Sequence, residues 1–252
     1  MSFFFNLELS IFNFSIICLI MLFASIVRGF SGFGFAATNV SLMTFIIPAI
    51  EVVPIILLLE IAISIFMIPY ILGKINWSIV KTMFIGFFVG SPIGLYFLKI
   101  LDSNVTHLII SLVVIFFGIL LLKGYLNKKL NTASIQISTG TFAGTLNGLS
   151  TLGGLPCALF LLCVGIESQF IRGTLAALFF LTDAYALILS FFAEIFDLKS
   201  LYRTIPLILI LPIGVKIGDI FFNKSKESTY RKFVLYFLIT ISIFGMLKSL
   251  IF

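Results

Sequence analysis

Charge is what this sequence has least of. Of its 252 residues only 10% are charged, 16 Lys or Arg and 10 Asp or Glu, where an ordinary soluble domain carries about 25%. The hydrophobic share is 61% and the mean hydropathy is +1.25, and the longest polar stretches run to roughly ten residues. That leaves no room for a soluble domain. Histidine occurs once, as His107, and the three cysteines, Cys18, Cys157 and Cys163, stand in apolar runs without a CxxC or a Cys/His cluster. A zinc site and a disulfide framework are therefore unsupported, and the thiols read as small apolar side chains. No GxxxxGK[ST] loop is present for ATP hydrolysis and no HExxH for a metalloprotease. A serine hydrolase would need a base beside a serine, and one histidine at a membrane edge supplies it poorly. No catalytic residue, cofactor or metal is expected. The net charge of +6 sits in short loops, without basic and aromatic residues interleaved; it reads as orientation signals and not as a nucleic-acid surface.

What is there is apolar sequence in blocks. Runs fall at 11–27, 33–47, 52–72, 79–98 and 105–122, then, after a polar connector at 123–131, at 135–146, 155–164, 170–192, 205–222 and 233–247. A spanning helix needs about 20 apolar residues; six runs reach or approach that, and those beside two glycine-rich stretches are shorter. The first run has a small residue, Ala24, as a signal peptide would, but no positive segment precedes it. It is expected to stay as a membrane segment.

The two glycine-rich stretches are Arg28-Gly29-Phe30-Ser31-Gly32-Phe33-Gly34-Phe35 and Asn147-Gly148-Leu149-Ser150-Thr151-Leu152-Gly153-Gly154. Polar backbone in lipid-grade sequence survives only where it lines a cavity or packs on protein, and paired breaks in two halves point to a binding site. A shift of 120 positions lays Pro92-Ile93-Gly94 on Pro212-Ile213-Gly214 and Gly34 on Gly154, so the halves are repeats. If each broken pair made one crossing, two positive loops would fall on opposite faces, against the positive-inside rule. If each makes two crossings or a re-entrant hairpin, Lys74, Lys81, the connector lysines and the 223–232 loop share one face, and Glu8, Glu51, Glu194 and Asp197 the other. The expected fold is an all-α polytopic membrane protein of two inverted-topology repeats, each a broken or re-entrant helix pair plus three full transmembrane helices. Residues 1–125 form the first repeat, 126–134 a cytoplasmic connector and 135–252 the second repeat, with both termini outside.

The stretch Gly29-Phe30-Ser31-Gly32-Phe33-Gly34-Phe35, a Pro in the segment after it, Pro92-Ile93-Gly94 and the glycine-rich echo in the second half resemble the sulfite exporter TauE/SafE family over essentially the whole chain. The tight glycine pair occurs in the second half as Gly153-Gly154, whereas Phe33 separates Gly32 from Gly34 in the first. The resemblance implies a multi-pass carrier in the bacterial inner membrane that exports small sulfur-containing anions such as sulfite or organosulfonates.

Glycines at the breaks let backbone approach a ligand closely, and a helix restarting after a break aims free N–H groups and a partial positive charge at the gap, which suits an anion. Restarts at Phe35 and Leu155 meet that need. The expected substrate-binding set is Arg28, Ser31, Gly32, Gly34, Asn147, Gly148, Ser150, Thr151, Gly153 and Gly154, against the competing reading that the small residues only allow close helix packing. Arg28 offers a fork suited to oxyanions, or else snorkels to headgroups. Glu60 and Asp183 lie mid-run and are candidates for proton coupling; the alternative is hydrogen-bonded helix glue, with Ser64 on the face of Glu60. Lys216 and Asp219, three apart, would form an interfacial ion pair. His107 reads as a surface residue, and Trp77 and Tyr230 as aromatic-belt residues. The partners expected are a small anion, the lipid bilayer and protons, with movement along the membrane potential alone as the other choice. Nucleic acid is not expected, and a homo-oligomer is compatible with the sequence without being required by it. An uncoupled channel, a carrier of another small acid, an intramembrane enzyme and a partner scaffold are the rival functions.

Overall fold

The computed structural model describes residues 10–44, 46–102 and 128–230, with single positions at 105, 109, 112, 116, 232, 233, 236, 237 and 240. His107, most of the connector and most of the runs at 105–122 and 233–247 lie outside the described residues. Within them the chain is all helical: α1 Ile11–Ser31, α2 Phe35–Met43, α3 Ala49–Ile71, α4 Trp77–Ile100, a 3-10 turn Lys128–Leu130, α5 Ala133–Ser150, α6 Gly154–Cys163, α7 Ser168–Phe192, α8 Leu198–Ile208 and α9 Leu211–Lys224. Polar side chains set several starts: Ser10, Asn76, Thr132 and Asp197 each accept from a backbone N–H in the first turn of the helix they precede.

Four of these helices, at 11–31, 50–71, 77–100 and 168–192, are long and apolar enough to cross a membrane, and a fifth span results if α8 and α9, bent by 48° to each other, are taken together. At 1.5 Å per residue a helix of 21 residues covers about 30 Å, the thickness of a bilayer's hydrocarbon core. The protein is a multi-pass membrane protein. The run at 205–222 was expected to be unbroken and is not: Pro212 is the second residue of α9, where its missing N–H costs no helical bond.

Element order recurs. Shifted by 120, α1 to α4 fall within four residues of α5, α6, α7 and the α8–α9 pair at every end. The halves interlock by small residues. A Cβ on Gly94 of α4 would lie 2.0 Å from the Thr145 carbonyl oxygen of α5, and one on Gly214 of α9 would lie 2.3 Å from the Ser25 Cβ of α1. Under the same shift Gly94 becomes Gly214 and Ser25 becomes Thr145, so the two contacts are one contact with the halves exchanged. The central helices α3 and α7 run antiparallel. Asn76, just past α3, donates its N–H to Thr174 Oγ1 near the start of α7, while Lys99 at the end of α4 donates to the Ala193 carbonyl at the end of α7.

Candidate functional site

The first break is narrower than the glycine-rich stretch. Helix α1 runs through Arg28 to Ser31, and Gly32 and Gly34 take left-handed backbone, φ 82° and 88°, where a side chain would be strained. Arg28 ends up fully buried. Its Nη1 donates to the Gly32 carbonyl (2.6 Å), its Nη2 to Ser64 Oγ (3.1 Å), and Nη2 lies 3.3 Å from Glu60 Oε2. The guanidinium carbon stands 4.7 Å from the Phe179 ring centroid. On its other oxygen, Glu60 accepts the Ala36 N–H at the start of α2 (3.2 Å). A carboxylate from α3 thus sits between a guanidinium and a helix N-terminus, the two groups that favour an anion.

The second break is built without left-handed glycine. Helix α5 includes Asn147, Gly148 and Ser150, and its C-cap Thr151 takes φ 59°. Asn147 Nδ2 donates to Asp183 Oδ1 at 2.8 Å. The starts of α2 and α6 meet at a cavity of about 10 Å³ lined by Gly34, Ala36, Ala37, Thr151, Gly154 and Leu155 from the breaks, with Glu60, Asn147, Phe179 and Asp183 around them. That volume is about one water.

Of the predicted binding residues, Gly34, Asn147, Thr151 and Gly154 line this cavity, as do both predicted coupling acids. Arg28 reaches it through Glu60. The others do not line it. Ser31 Oγ is turned onto the backbone at Val27 and Phe33, and Ser150 Oγ onto Leu146. Cβ atoms on Gly32, Gly148 and Gly153 would lie 2.3–2.6 Å from backbone atoms of Arg172, Ser91 and Ala143; these glycines are where helices touch.

Residues 17–245 match the sulfite exporter TauE/SafE family. The chain belongs to that family. The match takes in both breaks, both acids and every helix from α2 to α9, and the family is one of membrane transporters of the sulfite-exporter type. No curated protein and no solved structure matches the chain.

In this TauE/SafE protein a second buried arginine is present that the sequence reading passed over. Arg172, in the second turn of α7, pairs with Asp219 of α9 at 2.9 Å and stacks on Phe222, 4.2 Å from the ring centroid. Asn223 donates to the carboxylate's other oxygen. Asp219 therefore pairs across helices and not with Lys216, which is exposed, because α9 turns that face toward α7. A lone arginine within an apolar run was the signal available, as it was for Arg28. Tyr230 is likewise no belt residue. It is buried, packs between Phe30 and Phe222, and donates its hydroxyl to the Ser31 carbonyl at 2.7 Å, satisfying backbone beside the first break. Trp77, at the start of α4, is exposed as expected. On the Lys74 side a wider cavity of about 530 Å³ opens among Lys74, Gln169, Asn223 and Glu227, whose carboxylate accepts from the Ser168 hydroxyl and N–H at the start of α7.

Proposed function

We propose that this protein is a secondary transporter that moves small sulfur-containing anions, sulfite or organosulfonates, outward across the bacterial inner membrane. The anion is held where α2 and α6 begin. The observation that carries the reading is the meeting of two half-helix starts at one cavity flanked by a buried arginine. N-terminal N–H groups of a helix lack intrahelical partners, Asn147 adds a neutral donor, and Arg28 supplies the charge. Gly32, Gly148 and Gly153 shape the site by letting the helices close, and Ser31 and Ser150 by tying the backbone at the breaks. Protons couple to the anion at this same cavity, which the two candidate acids Glu60 and Asp183 line.

The two halves are read as inverted repeats, with the connector and the Lys74 end in the cytoplasm. The antiparallel course of α3 and α7 supports this, as does the exchange of equivalent contacts between Gly94–Thr145 and Gly214–Ser25. A cavity no larger than one water favours a carrier that opens to one side at a time over an open channel. The test is flux with the purified protein alone in liposomes. Sulfite and methanesulfonate are expected to cross protein-containing vesicles faster than empty ones without ATP; no protein-dependent flux of either would overturn the proposal.

A further inference from the structure

The place that suits an anion best is taken by the protein's own carboxylate. Glu60 lines the cavity, is 4% exposed, and accepts from the Ala36 N–H at the start of α2, while its Oε2 faces Arg28 without a hydrogen bond. With it in place the cavity holds about one water, too little for a sulfonate. We infer that Glu60 is a built-in stand-in for the substrate: an anion takes its place on Arg28 and α2 only as Glu60 accepts a proton, so that one proton travels with each singly charged anion in the same direction. This rests on the anion site proposed above and adds to it the proton carrier and the stoichiometry.

The charges facing the site lead there. Among the described residues they are Arg28 from α1, Glu60 from α3 and Asp183 from α7, with the Cys157 thiol of α6 in electrostatic reach of Asp183. The lining residues of α2 and α5, Ala36, Ala37 and Asn147, carry none. Arg28 is the one cation among these charges, and Glu60 already holds it. Adding an anion would leave a buried negative charge without a counter-ion, which costs several kcal/mol. A proton from solution on Glu60 removes that charge: the carboxylate becomes the acid, and the guanidinium passes to the anion. The reverse occurs on release. Transport is then electroneutral, set by the anion gradient and the pH difference and not by the membrane potential. Asp183 already accepts from Asn147 and lies in electrostatic reach of Arg28, whose direct partner is Glu60, so displacing Asp183 would free neither the guanidinium nor the α2 N–H for the anion.

The test uses methanesulfonate, whose charge is constant across the working pH range, with sulfite in parallel. Binding to the purified protein is measured with proton uptake in weakly buffered solution. The wild type is expected to take up about one proton per bound methanesulfonate, with affinity falling about tenfold per pH unit on the alkaline side. Glu60→Gln keeps the acceptor for Ala36 and loses the charge; it should bind without proton uptake and with affinity flat in pH. Asp183→Asn should still take up the proton for every anion it binds. Uptake that persists in Glu60→Gln, or is lost in Asp183→Asn, overturns the inference. So does wild-type binding without proton uptake, a result that needs no variant to fold and leaves the anion site standing. Failure of the wild type to bind either probe at any pH would instead overturn the site itself.

Discussion

At the scale of single residues, the account turns on polar atoms that break apolar helices and on what satisfies them. Tyr230 shows how this works: its hydroxyl reaches the Ser31 carbonyl across 199 positions of chain. Tyr230→Phe keeps the ring contacts with Phe30 and Phe222 and leaves that carbonyl without this donor. A buried acceptor so exposed costs about 1–3 kcal/mol, and thermal unfolding in detergent should report a loss of that size; an unchanged melting temperature would contradict it. None of this was legible in the sequence, where a tyrosine closing a polar loop looks like any interfacial aromatic. Arg28, Glu60 and Asp183 were legible, because an ionisable group deep in an apolar run is costly unless paired or used. What could not be read was that Arg28 and Glu60 pair with each other, since their meeting depends on how α1 and α3 pack. Breaking the second buried pair should be severe as well. Arg172→Ala leaves Asp219 with Asn223 as its side-chain partner among the described residues, and removing one partner of a buried ion pair costs about 3–5 kcal/mol, to be seen as loss of folded protein recovered from the membrane.

At the scale of elements, glycine does two jobs that composition alone does not separate. Gly86, Gly90 and Gly94 on α4 face Gly140, Gly144 and Gly148 on α5, and a Cβ at any of the six would come within 2.0–2.8 Å of backbone. Small residues let membrane helices approach and gain packing. Gly148, grouped in sequence with the second break, belongs to this seam, because the helix continues two residues past it, to Ser150. Gly73, in the turn between α3 and α4, has φ +77° and open space around it. Gly90→Val should therefore splay α4 from α5 and prevent recovery of monodisperse protein, whereas Gly73→Ala should cost only the left-handed strain, about 1 kcal/mol. Equal loss from the two would mean the seam is not tight. The recurrence of element order follows the offset of 120 seen in the sequence, and helices α1 to α7 fall where apolar runs lie. The bend between α8 and α9 was missed: Pro206 and Pro212 both sit in the second half's run, whereas the corresponding helix of the first half, carrying Pro92 alone, continues unbroken.

For the whole molecule, the proposed orientation puts the Lys74 end inside the cell and the Glu194 end outside. In a variant whose three cysteines are replaced, an impermeant thiol reagent on whole cells should label Glu194→Cys and spare Lys74→Cys; the opposite pattern would invert the molecule. Both positions are exposed, so failure to react reflects side and not burial. The proposed orientation rests on the charge distribution of the sequence, and the meeting of the two breaks at one cavity is seen in the packing. That convergence is the central claim, and affinity for methanesulfonate tests it most directly. The comparison is between Glu60→Gln, which leaves the Arg28 guanidinium to the anion, and the double variant Arg28→Ala with Glu60→Gln, which removes both charges of the pair. A hydrogen bond to a charged group contributes about 1.5–3 kcal/mol, so the double variant should bind roughly 10- to 150-fold more weakly than Glu60→Gln. Equal affinity in the two would place the anion elsewhere and leave the meeting of α2 and α6 a matter of packing alone.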